Sequence, residues 1–66
     1  MEKYRAEMSH LIEGKQVNKP RIFWAATREE AKEKFQDLRK ADKTIQEAGL
    51  FCVKDNSLVD EYIGYI

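Results

Sequence analysis

The sequence is short of the residues that staple, kink or catalyse. It holds one cysteine, Cys52, one proline, Pro20, one histidine, His10, and three glycines in 66 residues. A single cysteine forms no internal disulfide, so the framework is not that of a small secreted scaffold held by bridges. No apolar run approaches the roughly 20 residues that span a bilayer. The opening stretch, MEKYRAEMSH, has no apolar signal core. A cytoplasmic location is the resulting expectation.

An excess of charge is missing too. Twelve basic and 12 acidic side chains cancel. That counts against a dedicated nucleic-acid binder, which carries a strong positive excess, and equally against an acidic mimic of DNA. The balance is uneven along the chain. Lys3, Arg5, Lys15, Lys19 and Arg21 make the first part lean basic, and Asp55, Asp60 and Glu61 make the last part lean acidic.

Catalytic groups are scarce. Serine occurs only at 9 and 57. His10 and Cys52 would form a nucleophile–base pair if their strands were adjacent. The plainer reading is a strand histidine and a small buried thiol. Ligands clustered for a metal are absent. Gly14, Gly49 and Gly64 are scattered, with no phosphate-cradling pattern. The expectation is no enzyme and no cofactor.

What the chain does contain is one domain over 1–66, with a hydrophobic share of 42%. That share is ordinary for a globular protein and high for a disordered one. A chain this short buries only about 60% of its unfolded surface.

The clearest element is a helix. Thr27 followed by Glu30 fits a capping box, and Glu29, Glu30 and Glu33 suit the positive end of the dipole. Ala31, Phe35, Leu38, Ala41, Ile45 and Ala48 follow helical spacing. Gly49 suits a cap, so one helix over 28–48 fits. A break near Asp42 fits equally, since Asp42 and Thr44 favour caps and turns. The part after such a break would then be a loop or a short helical turn.

Two strands precede the helix. Tyr4, Ala6, Met8, His10 and Ile12 alternate with Arg5, Glu7, Ser9, Leu11 and Glu13, EGKQVN supplies a turn at Gly14, and Ile22, Trp24 and Ala26 alternate with Arg21, Phe23 and Ala25. A three- or five-residue loop would put Trp24 on the face of Tyr4 and Met8, and that register is preferred here. Pro20 marks the second strand as an edge, or as beginning there. After the helix, LFCVK, a turn at DNS and LVDEYIGYI read as a second hairpin pairing Val53 with Val59. Its last strand is apolar on both faces, with Ile63 and Tyr65 on one and Tyr62 and Ile66 on the other. That suits an interior strand or one with an exposed sticky face.

The expected fold is α+β, a two-layer ββαββ domain with a four-stranded mixed sheet and one helix on one face. The order resembles that of β-grasp domains such as the immunoglobulin-binding domain of protein G. The likeness is one of layout, and no binding motif of that family matches residue by residue.

A single helix covers one sheet face. With Ile22, Trp24, Phe35, Leu38, Val53, Val59 and Ile63 in the core, the other face receives Phe23, Leu11, Leu50, Cys52 and Tyr62. That is much apolar surface for a monomer. The expected function is a small non-enzymatic protein-binding module, with Phe23, Leu50, Tyr62 and Leu11 as the binding residues. Its partner would be another protein or a second copy. Such chains are common among phage and mobile-element accessory proteins that inhibit or redirect a host protein. The alternative is a nucleic-acid-binding or regulatory protein using Arg5, Lys19 and Arg21 on the first hairpin. No membrane partner is expected.

Overall fold

The first turn sets the register of half the molecule. Glu13 and Gly14 both take left-handed backbone, with φ of 52° and 77°. A type I′ turn requires this at its two central residues, and its twist matches that of the strands it joins. The loop is therefore two residues long, where an odd length was expected. It joins β1 (Glu2–Ile12) to β2 (Lys15–Asn18), with Ile12 facing Lys15 and Ser9 facing Asn18.

The computed structural model describes residues 1–64. The expectations for Tyr65 and Ile66 lie outside the described residues. Beyond β2 the chain continues along the same edge as β3 (Arg21–Ala25), where Ala6 faces Arg21 and Glu2 faces Ala25. The two ladders share one frame, so β2 and β3 are one edge strand broken at Lys19–Pro20. Pro20 has no amide proton to give a ladder. Before it, the Lys19 amide still donates to the Met8 carbonyl at 2.8 Å.

The helix α1 (Arg28–Ala41) begins as expected. The Thr27 hydroxyl accepts from the Glu30 amide, Glu29 and Glu30 lie in the first turn, and Arg39 and Lys40 lie in the last. These charges complement the dipole at both ends. The helix stops at Asp42 with extended backbone, φ −122°. The Asp42 carboxylate accepts from the Thr44 amide at 2.9 Å and its hydroxyl at 2.7 Å, a local turn that competes with further helix.

Past the break the chain forms a strand. β4 (Ile45–Cys52) pairs with β1, and β5 (Ser57–Ile63) pairs with β4. Ile45 and Ala48 are three apart and both buried, which imitates a helix. The cause is a bulge: Ser9 faces Glu47 and His10 faces Ile45, leaving Gln46 as the extra residue. A second bulge at Val59 lies between the pairs Leu50–Asp60 and Phe51–Leu58. The hairpin loop is 53–56, since Cys52 faces Ser57; Val53 therefore does not pair with Val59. Within this loop the Ser57 amide and hydroxyl both donate to Asp55.

The sheet order is β2-β1-β4-β5, with β3 extending β2 on the outer side of β1. All four ladders are antiparallel. The α+β class and the single helix on one face stand as expected. The four-stranded mixed sheet does not: the break at Lys19–Pro20 makes five strands of the expected four, and β1 neighbours the first strand of the second hairpin, so the central pair is antiparallel, unlike a β-grasp. The final strand β5 is an edge and not an interior strand.

The core lies between α1 and the sheet, built on Tyr4, Ala6, Met8, Ala25, Ala31, Phe35, Ile45, Ala48, Leu50 and Cys52. Phe23, Leu38, Val59 and Tyr62 pack against it. Burial pushes the Tyr4 phenol above its ordinary value, and the neighbouring Cys52 adds to the effect. Among the described residues, no helix is long and apolar enough to cross a membrane.

Candidate functional site

Alternation along the strands places every second side chain on the face that α1 does not cover. In the two-residue-turn register these are Lys3, Arg5, Glu7, Ser9 and Leu11 on β1, and Ile22 and Trp24 on β3. From β4 come Glu47, Gly49 and Phe51, and from β5 Leu58, Glu61 and Ile63.

This corrects four core assignments. Ile22 is 54% exposed and Trp24 52%, while Val53 and Ile63 are also exposed. It equally corrects three of the expected binding residues. Leu50 is fully buried, and Phe23 and Tyr62 pack on the core. The physical reason is parity. A two-residue turn pairs Tyr4 with Phe23 and Lys3 with Trp24, and changing the loop by one residue exchanges the faces. Farther on, Leu50 faces Ala6 and so shares the core face of β1, and the bulge at Val59 turns Tyr62 inward beside Ala48. Leu11 does lie on the open face, exposed as expected. Cys52, also expected there, is buried beside Tyr4.

The open face has two unlike ends. At one, Trp24 lies beside Lys3, whose ammonium sits 5.4 Å from the ring centroid. One rung on, Arg5 stands between Ile22 and Phe51, its guanidinium 5.0 Å from the Phe51 ring. Arg5 also donates to the Asn56 side chain at 3.1 Å and lies 2.9 Å from Glu7. Leu58 completes that row at 52% exposure. Cation–ring contacts of this kind hold long side chains flat while leaving their charge in water.

At the other end three carboxylates, Glu7, Glu47 and Glu61, surround Gly49, which faces both Glu7 and Glu61. Gly49 contributes no side chain, and the Phe51 ring leans toward it: a Cβ there would meet Phe51 Cε1 at 3.1 Å. Over this floor lies a shallow depression of about 470 Å³, walled by Ser9, Gln16, Asn18 and the three glutamates and reaching Phe51 and Leu58 of the first end.

The basic residues of the alternative reading do not form one surface. Arg5 is on the open face. Lys19 and Arg21 line a cleft on the helix side together with His10, Leu38 and Asp42. The His10–Cys52 pair is separated as well. Cys52 lies opposite Tyr4 and His10 opposite Ile45, roughly 20 Å apart along the ladder at 3.3 Å per residue.

His10 has other partners. Its Nδ1 is 2.8 Å from Thr44 Oγ1 and 3.4 Å from Asp42 Oδ2. The Thr44 hydroxyl gives its proton to Asp42, so it accepts from His10 Nδ1–H. These bonds from Thr44 hold the Asp42 carboxyl below its ordinary value, with the His10 ring adding to the effect. The trio ties β1 to the turn that ends α1, which is a structural role. Among the described residues no cluster of three metal-ligating side chains occurs.

What sequence reasoning missed were Trp24, Ile22, Phe51 and Leu58. Glu13-Gly14 read as a two-residue turn would have found Trp24 and Ile22; Phe51 and Leu58 depend on the pairing of β4 with β1 and β5, which no local signal gives.

No protein-family model matches this chain, and neither a curated protein nor a solved structure matches it.

Proposed function

We propose that the protein is a non-enzymatic protein-binding module whose working surface is the open sheet face, with Trp24 and Arg5 as its anchors. The observation that carries this reading is the set of large apolar side chains left outside a small core: Ile22, Trp24 and Leu58 at one end of the open face, with Ile63 and Leu11 at the other, all exposed on the side opposite α1. An uncovered patch of this kind marks an interaction site more often than an accident of folding. Trp and Arg, both present at its first end, are the residues interfaces favour as anchors. The free, buried thiol of Cys52 supports action in the cytoplasm.

Nucleic-acid binding remains the second reading, favoured by one observation, the two cations held against Trp24 and Phe51. Rings beside basic groups are a platform on which bases stack. Glu7, Glu47 and Glu61 on the same face oppose it, because they repel a phosphate backbone running along the strands.

The test is Trp24→Ser combined with Leu58→Ser. Association, with itself or with a captured protein, should disappear while the thermal melt stays near that of the wild type. Association that persists in the folded variant would place the surface elsewhere. Retention of the wild type on single-stranded DNA or RNA, falling steeply with salt, would promote the second reading.

A further inference from the structure

We infer that the cleft on the helix side of the sheet is a site for a small zwitterion with an apolar body, namely a free amino acid with an apolar side chain. The inference goes beyond the reading of the open face and does not rest on it, since the cleft lies on the opposite side of the sheet.

The course of α1 leaves the cleft. The helix follows directly on β3 and packs on β3, β4 and β5. In its last turn the Arg39 guanidinium lies 4.5 Å from the Tyr62 ring centroid on β5. The helix thus crosses the sheet obliquely and draws away from the outer edge near Lys19 and Pro20. The space left there is about 430 Å³, within the range of small-molecule sites. Met8 and Ile45, both buried, and the half-buried Leu38 give it an apolar floor.

The two walls carry opposite charge. Lys19 and Arg21 stand on the strand wall, opposite Met8 and Ala6 of β1 and hence on the helix side. Among the described residues neither joins an ion pair. Asp42 stands on the helix wall. Its Oδ1 takes both Thr44 bonds. Its Oδ2 is 3.4 Å from His10 Nδ1, whose proton goes to Thr44, so among the described residues Oδ2 accepts no hydrogen bond. The last carbonyls of α1 add partial negative charge to this wall. Besides the Thr44 bonds and the His10 ring, the Lys19 charge helps hold the Asp42 carboxyl below its ordinary value. The walls therefore feel each other across the gap, with no ion pair closing it.

That arrangement selects the ligand. An anion alone meets Asp42 and the helix end, and a cation alone meets Lys19 and Arg21, so each faces a like charge. A molecule carrying carboxylate and ammonium on one carbon satisfies both walls. Its carboxylate accepts from Lys19 and Arg21, and its ammonium donates to Asp42 Oδ2. Hydrogen bonds between charged groups are the strong ones. An apolar side chain then covers Met8, Leu38 and Ile45, which takes apolar surface of both partners out of water.

The test is an NMR titration at one fixed pH. His10 is the only histidine and lines the cleft, so its ring signals report binding there. Leucine should shift them saturably, with half-saturation at or below about 1 mM. Leucinamide, which has no carboxylate, and isocaproate, which has no ammonium, should each bind at least roughly tenfold more weakly. Glycine, which has no apolar side chain, should bind more weakly by a similar factor. Leucine binding should also weaken at least roughly tenfold in the variant Lys19→Gln with Arg21→Gln, two exposed positions whose substitution leaves the fold intact. No saturable shift up to about 10 mM leucine would overturn the site. Leucinamide or isocaproate binding as tightly as leucine would overturn the zwitterion, and glycine binding as tightly would overturn the apolar body. Unchanged leucine binding in the double variant would remove the strand wall from the site and overturn the inference.

Discussion

Tyr4 and Phe23 stack beneath the helix, with ring centroids 6.2 Å apart and planes inclined by 23°. Their pairing commits the neighbouring residue, Trp24, to the opposite face. Two substitutions one position apart should therefore behave differently. Phe23→Ser should lower the melting temperature sharply, because it removes packing against the core. Trp24→Ser should move it little, since exposed positions contribute little to stability. Equal effects in thermal circular dichroism would mean that the register is wrong.

Phe35 is the central side chain from the helix and is fully buried. Truncating such an aromatic to Ala costs about 3–5 kcal/mol. A core in a domain this small rarely supplies more than that. Phe35→Ala should be largely unfolded at room temperature, and a melt displaced by only a degree or two would contradict its place in the core. The cap is milder: Thr27→Ala, which removes the acceptor for the Glu30 amide, should cost about 1 kcal/mol.

Glu13 occupies a left-handed conformation, φ 52°, that suits Asn far better than Glu. Asn-Gly is the favoured pair for a two-residue turn of this type. Glu13→Asn should raise the melting temperature, by a stability gain on the order of 0.5 kcal/mol. A lowered melting temperature would argue against this turn and against the register that depends on it.

Asp42 and Asp55 each accept two hydrogen bonds from one residue two positions on, Thr44 and Ser57, and both carboxyls lie below their ordinary value. The folded state thus favours their charged forms. Their contribution is fully present above the ordinary Asp value of 3.8. It is lost as pH falls below that value through the lowered folded ones. Chemical unfolding at pH 6 and at pH 2.5 should show the wild type losing more stability than Asp42→Asn. Equal losses would show that the Thr44 bonds do not favour the carboxylate.

The sequence shows the helix start because the signals there are local. Thr27, Glu30 and the dipole-matched charges need no tertiary context. Asp42 is legible as a break for the same reason, and Pro20 as an edge-strand residue. Ile45 and Ala48 are not legible as strand residues, because the bulge at Gln46 gives them helical spacing. The face of Trp24 is lost through one residue of loop length: Glu-Gly is a weaker turn signal than Asn-Gly, and an odd loop places the larger aromatic inside. Phe23 fills the core beside Tyr4, so bulk alone does not decide which of the two aromatics is buried. Leu50 takes its face from its pairing with Ala6, a long-range contact that no local signal shows, and Tyr62 depends on a bulge at Val59 that leaves no local mark. Leu11 is legible on the open face because β1 itself carries no extra residue, the bulge at its Ser9–His10 step being on β4.

Trp24 is the only tryptophan in the chain, so its fluorescence reports on the open face alone. The most direct measurement is its emission maximum and iodide quenching across a dilution series from about 1 mM to about 10 nM. Exposure of Trp24 on the face opposite α1 predicts a red-shifted, freely quenchable indole at the dilute end of the series. Blue-shifted, protected emission at that dilute end would place Trp24 in the core of the single chain and contradict the account.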